Sequence, residues 1–261
     1  MFGIMGTSGA FAQAAGRAGK VKPGPSSGII LMSNMADPEI SSITGTDIVV
    51  TTIKNGKAHT DTYASLEGEI LAISADVHTN ITIAGTITEM EVADYAEFIS
   101  ISAKSTALTT LNCYGCSDLQ SLDLSGSTAL TDLNCGDCYA LESLNLSGCT
   151  ALTTLHCNGS NLQSLDLSGS TALTYLDCGD CYTLESLNLS GCTALTTLDC
   201  NSCSVITSIT YDAINGEVSA AIADAIMNAY AGDGTVYSDS EGAYYSTIES
   251  AAITKGWTIY G

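Results

Sequence analysis

Leucine and cysteine recur in residues 108–211 with a period of 21 or 22 residues. The units read LTxLxCxxCxx followed by LxSLxLSGxTA, and the first cysteine of each unit stands at 113, 135, 157, 178 and 200, in steps of 22, 22, 21 and 22. A second cysteine follows at 116, 138, 181 and 203, with Ser160 in the one unit that lacks it. A repeat of this length cannot bury its apolar side alone, so it predicts a solenoid whose coils stack at about 4.8 Å per rung.

The cysteines keep the same phase as the leucines, which predicts a packing role for sulfur. All 11 cysteines lie inside the repeat, Cys149 and Cys192 in the second half-unit. A stacked column needs a uniform small side chain, and cysteine is among the most buried residue types. At the turn, the second cysteine offers a weak S–H donor. Zinc and disulfides are the alternatives; zinc explains neither the leucine phase nor Cys149 and Cys192, and the odd number of cysteines disfavours full pairing.

The LxxLxL and LxxLxC half-units resemble the leucine-rich repeats of J-type internalins and of many Bacteroidetes surface and phage proteins. In those repeats an inward cysteine stacks into a ladder. The resemblance covers about 105 residues and implies a mainly β repeat solenoid, a right-handed coil with a β-rich N-terminal cap and an α/β C-terminal cap. Two features depart from it. Cysteine or serine replaces the usual turn asparagine, and the second half-unit reads almost as strand-like as the first, which predicts β structure on both faces.

Residues 119–158 and 162–201 are copies that differ at only four of 40 positions: Asp132/Tyr175, Asn134/Asp177, Ala140/Thr183 and His156/Asp199. Three of the four flank the second leucine of LTxLxC, where strand alternation turns side chains to solvent. The resemblance implies that this face is a concave ligand platform, with Tyr175 and His156 as the leading contacts. Neutral drift at solvent positions is the alternative. The candidate ligand-binding residues are Thr110, Asn112, Asp132, Asn134, Thr154, His156, Tyr175, Asp177, Thr197 and Asp199.

The other half-unit places Asp and Asn alternately in one column, at Asp123, Asn145, Asp166 and Asn188. Alternation avoids stacking like charges on adjacent rungs, so a solvated ladder is expected. A row of calcium ions is the alternative, although no EF-hand or RTX-type spacing is present. We expect neither a metal nor a cofactor.

The chain is strongly acidic, with seven Lys+Arg against 28 Asp+Glu and a net charge of −21. No base lies between Lys104 and Lys255. This balance excludes phosphate-rich partners, so we expect binding neither to nucleic acid nor to an anionic membrane surface. The three histidines are scattered and no catalytic motif stands in its required context. We therefore expect a protein that is not an enzyme.

Residues 1–28 form an arm with seven glycines, three bases and no acid. Such a segment cannot fold alone, so we expect it to become ordered by docking on another protein of an assembly. Its candidate anchor residues are Phe2, Phe11, Arg17, Lys20 and Lys22. A signal peptide is not indicated, because the sequence does not open with basic residues followed by an apolar run. No apolar run approaches the ~20 residues of a membrane helix. We expect synthesis in a cytoplasm.

The remaining segments divide the chain into four parts. Residues 29–104 alternate Ile, Val and Thr in short runs, with Lys54-Asn55-Gly56-Lys57 as a hairpin turn. They are expected to cover the N-terminal edge of the solenoid or, alternatively, to form a separate small β domain. Residues 105–214 are the repeats. Residues 215–261 are expected to form a C-terminal α/β cap, with helices over 217–230 and about 240–255, a short strand in GDGTVYSD and a final strand in WTIYG.

Two classes of function fit these features. The first is a structural or display protein of a larger particle, most plausibly a bacteriophage virion assembled in its host's cytoplasm as a capsid- or tail-associated component. It would be present in many symmetric copies, anchored to other particle proteins by residues 1–28, and would present the repeats to a host surface protein or glycan. The second is a bacterial cell-surface or secreted adhesion protein. A cytoplasmic interaction scaffold is a further alternative to both.

Overall fold

The computed structural model describes residues 28–33, 39–55, 57–72, 80–92, 98–211, 235–238 and 258–260. Within these ranges the protein is mainly β and contains no helix. The two helices expected near the C-terminus and the whole of segment 1–27 lie outside the described residues.

The N-terminal part consists of five strands: β1 (Gly28–Ser33), β2 (Glu39–Lys54), β3 (Lys57–Ala72), β4 (Asn80–Glu91) and β5 (Phe98–Ala103). β2 and β3 form the expected antiparallel hairpin, in which Lys54 pairs with Lys57 and Asn55 adopts φ 52°. The positive φ is what a two-residue hairpin turn requires. β1 lies between β4 and β5 and pairs antiparallel with both, which joins the two sides of this part into one sheet.

Residues 98–211 form a β-solenoid of about five turns. Each coil contributes two short strands. These are β6 (Thr110–Asn112), β7 (Ser121–Asp123), β8 (Asp132–Asn134), β9 (Ser143–Asn145), β10 (Thr154–His156), β11 (Ser164–Asp166), β12 (Tyr175–Asp177), β13 (Ser186–Leu189), β14 (Thr197–Asp199) and β15 (Ser208–Tyr211). The prediction of β structure in both half-units is confirmed.

The even-numbered strands β6 to β14 stack in parallel and in register to form what we call the first face. The second leucine of each unit meets its equivalent directly, as Leu111 with Leu133 and Leu155 with Leu176. β4 supplies the rung before β6, because Met90 pairs with Leu111. Beside this face the threonine hydroxyls bond from coil to coil, for example Thr153 Oγ1 to the carbonyl oxygen of Thr131 at 2.8 Å.

The odd-numbered strands form the second face, which is interrupted once. β5, β7 and β9 pair in sequence, and so do β11, β13 and β15. Within residues 98–211, all of which the structure describes, β9 and β11 belong to separate sheets. Beyond the repeats, β16 (Thr235–Ser238) and β17 (Thr258–Tyr260) extend the second half of this face in parallel. Both strands lie where the sequence predicted short strands.

The core is one continuous cluster of apolar side chains between the two faces. Its repeat members are leucines, isoleucines and cysteines, nearly all less than 3% exposed. Ile101 and Met90, one from each side of the N-terminal part, continue the same core. Leu144 of β9 is the partial exception, since it is only half-buried beside the interruption of the second face.

Candidate functional site

The ten predicted ligand-binding residues do lie together, at the ends of the five first-face strands. Each strand presents one residue before and one after its buried leucine. Thr197 is exposed and the other nine are half-buried, because neighbouring rungs cover part of each side chain. The strand geometry therefore agrees with the alternation expected from the sequence, while a ligand-binding role for these residues stays a prediction.

Four of the ten have a structural role that the sequence analysis missed. A side-chain Oδ1 atom at the end of the strand accepts a hydrogen bond from the backbone N–H two residues later, at 3.0–3.1 Å. This is an Asx turn, and it holds the chain as it leaves the strand. The four residues are Asn112, Asn134, Asp177 and Asp199.

His156 occupies the same position in the third coil but has no oxygen with which to form that turn. Its ring instead lies 5.0 Å from the ring of Tyr175, centroid to centroid, with the planes tilted by 43°. Nδ1 of His156 is 3.7 Å from Oδ2 of Asp177 on the next rung. Partial burial, together with the charges of Asp177 and Asp199, raises the pKa of Tyr175, so its hydroxyl stays a hydrogen-bond donor at neutral pH.

All eleven cysteines fall in the continuously described repeats, where every one is a buried thiol. The second cysteine of a unit donates its S–H to the carbonyl oxygen of the first cysteine one coil earlier, as Cys181 does to Cys157 at 3.3 Å and Cys203 to Cys178 at 3.1 Å. The prediction of a weak turn donor is confirmed. Across the described residues, no three His, Cys, Asp or Glu side chains are grouped to hold a metal ion.

Burial sets the acid–base behaviour of these thiols. It raises the pKa of Cys135 and Cys157 well above the usual value, with further contributions from neighbouring thiols. Burial raises the pKa of Cys149 to about 11. Since the thiolate is the nucleophile and the metal ligand, these thiols are weak at both tasks near neutral pH.

On the second face Asp123 is in register with Asn145, and Asp166 with Asn188, but the column of Asp and Asn is interrupted between Asn145 and Asp166. Asn188 Nδ2 donates to Asp166 Oδ1 at 3.0 Å on the rung before it. At the N-terminal end Lys104 Nζ lies 2.7 Å from Asp123 Oδ2. Burial alone would raise the pKa of Asp123, but Lys104 and the hydrogen bonds from Ser125 hold it below its usual value. Each Asp or Asn also makes an Asx turn, as Asp123 does with the N–H of Ser125.

The sequence analysis missed a groove at the turns between the two faces. Its cavity volume is about 310 Å³, and its walls are Tyr139 and Tyr182, each 62% exposed. The other lining residues are Asp137, Gly159, Ser160, Asn161, Asp180 and Thr183. The signal that could have located it is the single 21-residue step in the repeat.

The predicted anchor residues Phe2, Phe11, Arg17, Lys20 and Lys22 lie outside the described residues. Among the elements that are described, none is a helix long and apolar enough to cross a membrane. Comparison of the chain with protein-family models, with curated proteins and with solved structures gave no match.

Proposed function

We propose that this protein is a non-enzymatic display module. In this proposal the solenoid is of the leucine-rich-repeat type, and the N- and C-terminal parts cap its ends. The first face binds a protein or glycan on a host surface, and the Gly-rich arm anchors the module in a larger particle, most plausibly a bacteriophage virion that carries many symmetric copies. Binding by a rigid, pre-formed sheet face loses little conformational freedom, which favours affinity.

One observation carries the binding role: the first face departs from its own repeat at a structural cost. His156 stands where four other coils keep the Asx turn, so this rung forgoes a hydrogen bond worth about 0.5–1.5 kcal/mol. In exchange, His156 and Tyr175 form an aromatic pair on neighbouring rungs. Rings with an apolar body and a polar edge are enriched at binding hot spots.

The repeat supplies its own matched variants for a binding test. His156→Asn restores the residue type of the second coil, and Tyr175→Thr restores that of the third and fifth coils. We expect the full chain to bind one or more glycans on a bacterial-polysaccharide array, or intact host cells in a sedimentation assay. Both variants should lose at least tenfold in binding while their melting temperatures are not lowered. Unchanged binding would remove the first face from the proposal.

The anchoring role has a separate test. Particles purified on a density gradient from cells that produce the chain should contain it. The same chain without residues 1–28 should remain in the unassembled fraction, with a circular dichroism spectrum that still shows β structure. Normal incorporation of the shortened chain would contradict anchoring. Recovery of the full chain in the cell-envelope fraction would instead favour the second candidate, a bacterial surface adhesion protein, which the repeat resemblance supports.

A further inference from the structure

The groove at the turns arises from one missing residue in the third coil. Where the second coil reads Cys138-Tyr139-Ala140-Leu141 and the fourth reads Cys181-Tyr182-Thr183-Leu184, the third reads Ser160-Asn161-Leu162. Its turn is one residue shorter and carries no tyrosine. The interruption of the second face between β9 and β11 lies at this same place. The shortening therefore opens a gap one rung wide between two rungs of full length.

Two tyrosines form the walls of this gap, and a glycine forms its floor. A Cβ atom on Gly159 would lie 2.9 Å from Oδ1 of Asp137 and 3.3 Å from a ring carbon of Tyr139. Any side chain there would fill the cavity, and the φ of Gly159, +68°, disfavours one as well. The groove is open to solvent, and its volume of about 310 Å³ is enough for one side chain of a partner protein.

A carboxylate lies near each of the two groove tyrosines. The hydroxyl of Tyr182 donates to Asp180 Oδ1 at 3.1 Å, whereas Asp137 Oδ2 accepts from the hydroxyl of Tyr114, one coil before Tyr139. The charge of Asp137 raises the pKa of Tyr139, and the hydrogen bond to Asp180 raises the pKa of Tyr182. Both acids occupy left-handed turn positions, with φ of 54° and 55°, where the first and third coils have glycine.

The repeats contain no base that could neutralise these carboxylates, because no Lys or Arg lies between residues 104 and 255. Aromatic rings beside carboxylates attract cations through both the ring quadrupole and the charge. A neutral sugar would leave the repulsion between the two acids in place, whereas a cation relieves it. Charge complementarity therefore favours a cationic occupant.

We propose that this groove, the tyrosine groove, binds an extended basic segment of a partner protein, with a lysine or arginine side chain between Tyr139 and Tyr182. The two carboxylates stand two rungs apart, about 10 Å at ~4.8 Å per rung. Two bases three residues apart in a polyproline II conformation lie on the same side of the chain and are separated by a similar distance, at ~3.1 Å per residue. The segment that fits carries bases in the pattern base-x-x-base. This interaction is independent of the first face.

The test uses the full chain and a fluorescent octapeptide, GGRSGKGG, with its Arg and Lys replaced by Gln in the control peptide. The double variant Asp137→Asn, Asp180→Asn removes both charges and keeps a residue type that tolerates the left-handed turn. Glu142→Gln, Glu185→Gln is the matched control, since these are exposed acids of the same two coils with the same total charge change. Thermal unfolding of each variant establishes that it is folded.

We expect fluorescence anisotropy at 0.15 M salt to show binding of the basic peptide. The Asp137/Asp180 variant should weaken this binding at least tenfold, and the Glu142/Glu185 variant less than twofold. Tyr139→Ala, Tyr182→Ala should also weaken it. The proposal is overturned if the two acid variants weaken binding equally, if the Gln peptide binds as well as the basic one, if the basic peptide does not bind, or if a neutral oligosaccharide occupies the groove instead.

Discussion

The sulfur of Cys138 lies 3.2 Å from the carbonyl oxygen of Cys113, one coil earlier in the solenoid. The same contact recurs along the turn, and at the N-terminal end Cys116 makes it to Val92 at 3.0 Å. Cysteine is thus used here both as a small apolar side chain and as a buried donor that links successive coils. This dual use explains why four of the five units keep the second cysteine although it is not in a strand.

Removing this donor should cost stability. Cys138→Val keeps an apolar side chain of similar size but has no hydrogen to donate, so we expect the free energy of unfolding to fall by about 1–3 kcal/mol. Cys138→Ser keeps a donor, and serine already occupies the equivalent position at Ser160, so it should be the milder change. Urea denaturation at pH 7 measures both variants. A serine variant less stable than the valine variant would show that packing alone explains the cysteine.

The raised thiol pKa values predict a loss of stability at alkaline pH. In the unfolded chain a thiol has a pKa near 8.5, whereas burial raises the pKa of Cys149 in the folded chain to about 11. The contribution of Cys149 to the free energy of unfolding is therefore complete below pH 8.5. It is lost progressively as the pH rises towards 11. We expect the urea midpoint to fall between pH 8.5 and 10.5.

A variant isolates the thiol contribution from that of lysine and tyrosine titration. Cys149→Ser introduces the residue found in the same column at Ser127 and Ser170, so its fold should be retained. Its urea midpoint should fall less steeply over this pH range than that of the natural chain. Equal slopes would contradict the buried-thiol explanation. In the same series, a thiol reagent at pH 8 should react only slowly with the folded protein. In urea, where the chain is unfolded, it should react with all eleven cysteines.

The sequence predicted the repeat better than the features that interrupt it. A period of 22 residues with leucine and cysteine in phase fixes which side chains face inward, and Leu111 and Cys113 are both fully buried as expected. The N-terminal strands were also predicted, but β2 and β3 are each 16 residues long and extend through polar stretches such as HTDTYAS. Pairing between two long strands stabilises such stretches regardless of their composition.

The tyrosine groove and the Asx turns could not be predicted in the same way. The shortened turn before Leu162 is visible as a 21-residue step, yet only the structure shows that β11, which follows this turn, does not pair with β9. The turn role of Asn134 and Asp177 depends on the backbone direction after the strand, which alternation does not specify. Strand alternation alone therefore assigns Asn134 and Asp177 to a binding face, although each side chain also fixes the turn that follows its strand.

The Asp/Asn ladder of the second face predicts a salt-dependent effect of charge. Asn188→Asp would place a second carboxylate directly above Asp166, where Nδ2 of Asn188 now donates at 3.0 Å. We expect a loss of about 0.2–1 kcal/mol at low ionic strength, because like charges on adjacent strands repel each other. The loss should shrink at 1 M salt, where the screening length is about 3 Å.

Reversing the ladder provides the control. In the double variant Asp166→Asn, Asn188→Asp the amide and the carboxylate exchange places, so the hydrogen bond can form in the opposite direction. Thermal unfolding at low and high salt should show that the double variant regains most of the lost stability. If the double variant is as unstable as Asn188→Asp alone, the ladder contributes nothing through charge.

The two glycines of the second half-unit at positions 169 and 191 should respond differently to the same substitution, although they occupy equivalent places in the repeat. Gly191 has φ +82°, and a Cβ there would lie 2.7 Å from the carbonyl oxygen of Ser168. Gly169 has no such φ, and a Cβ there meets nothing within 4 Å.

Gly191→Ala must therefore strain or shift the backbone at a cost of about 1–2 kcal/mol or more. Gly169→Ala restricts the unfolded chain and should be neutral or stabilise the protein by up to about 1 kcal/mol. Urea denaturation of the two variants in parallel measures the difference, and equal losses would mean that the fourth-coil turn does not hold Gly191 in the left-handed conformation.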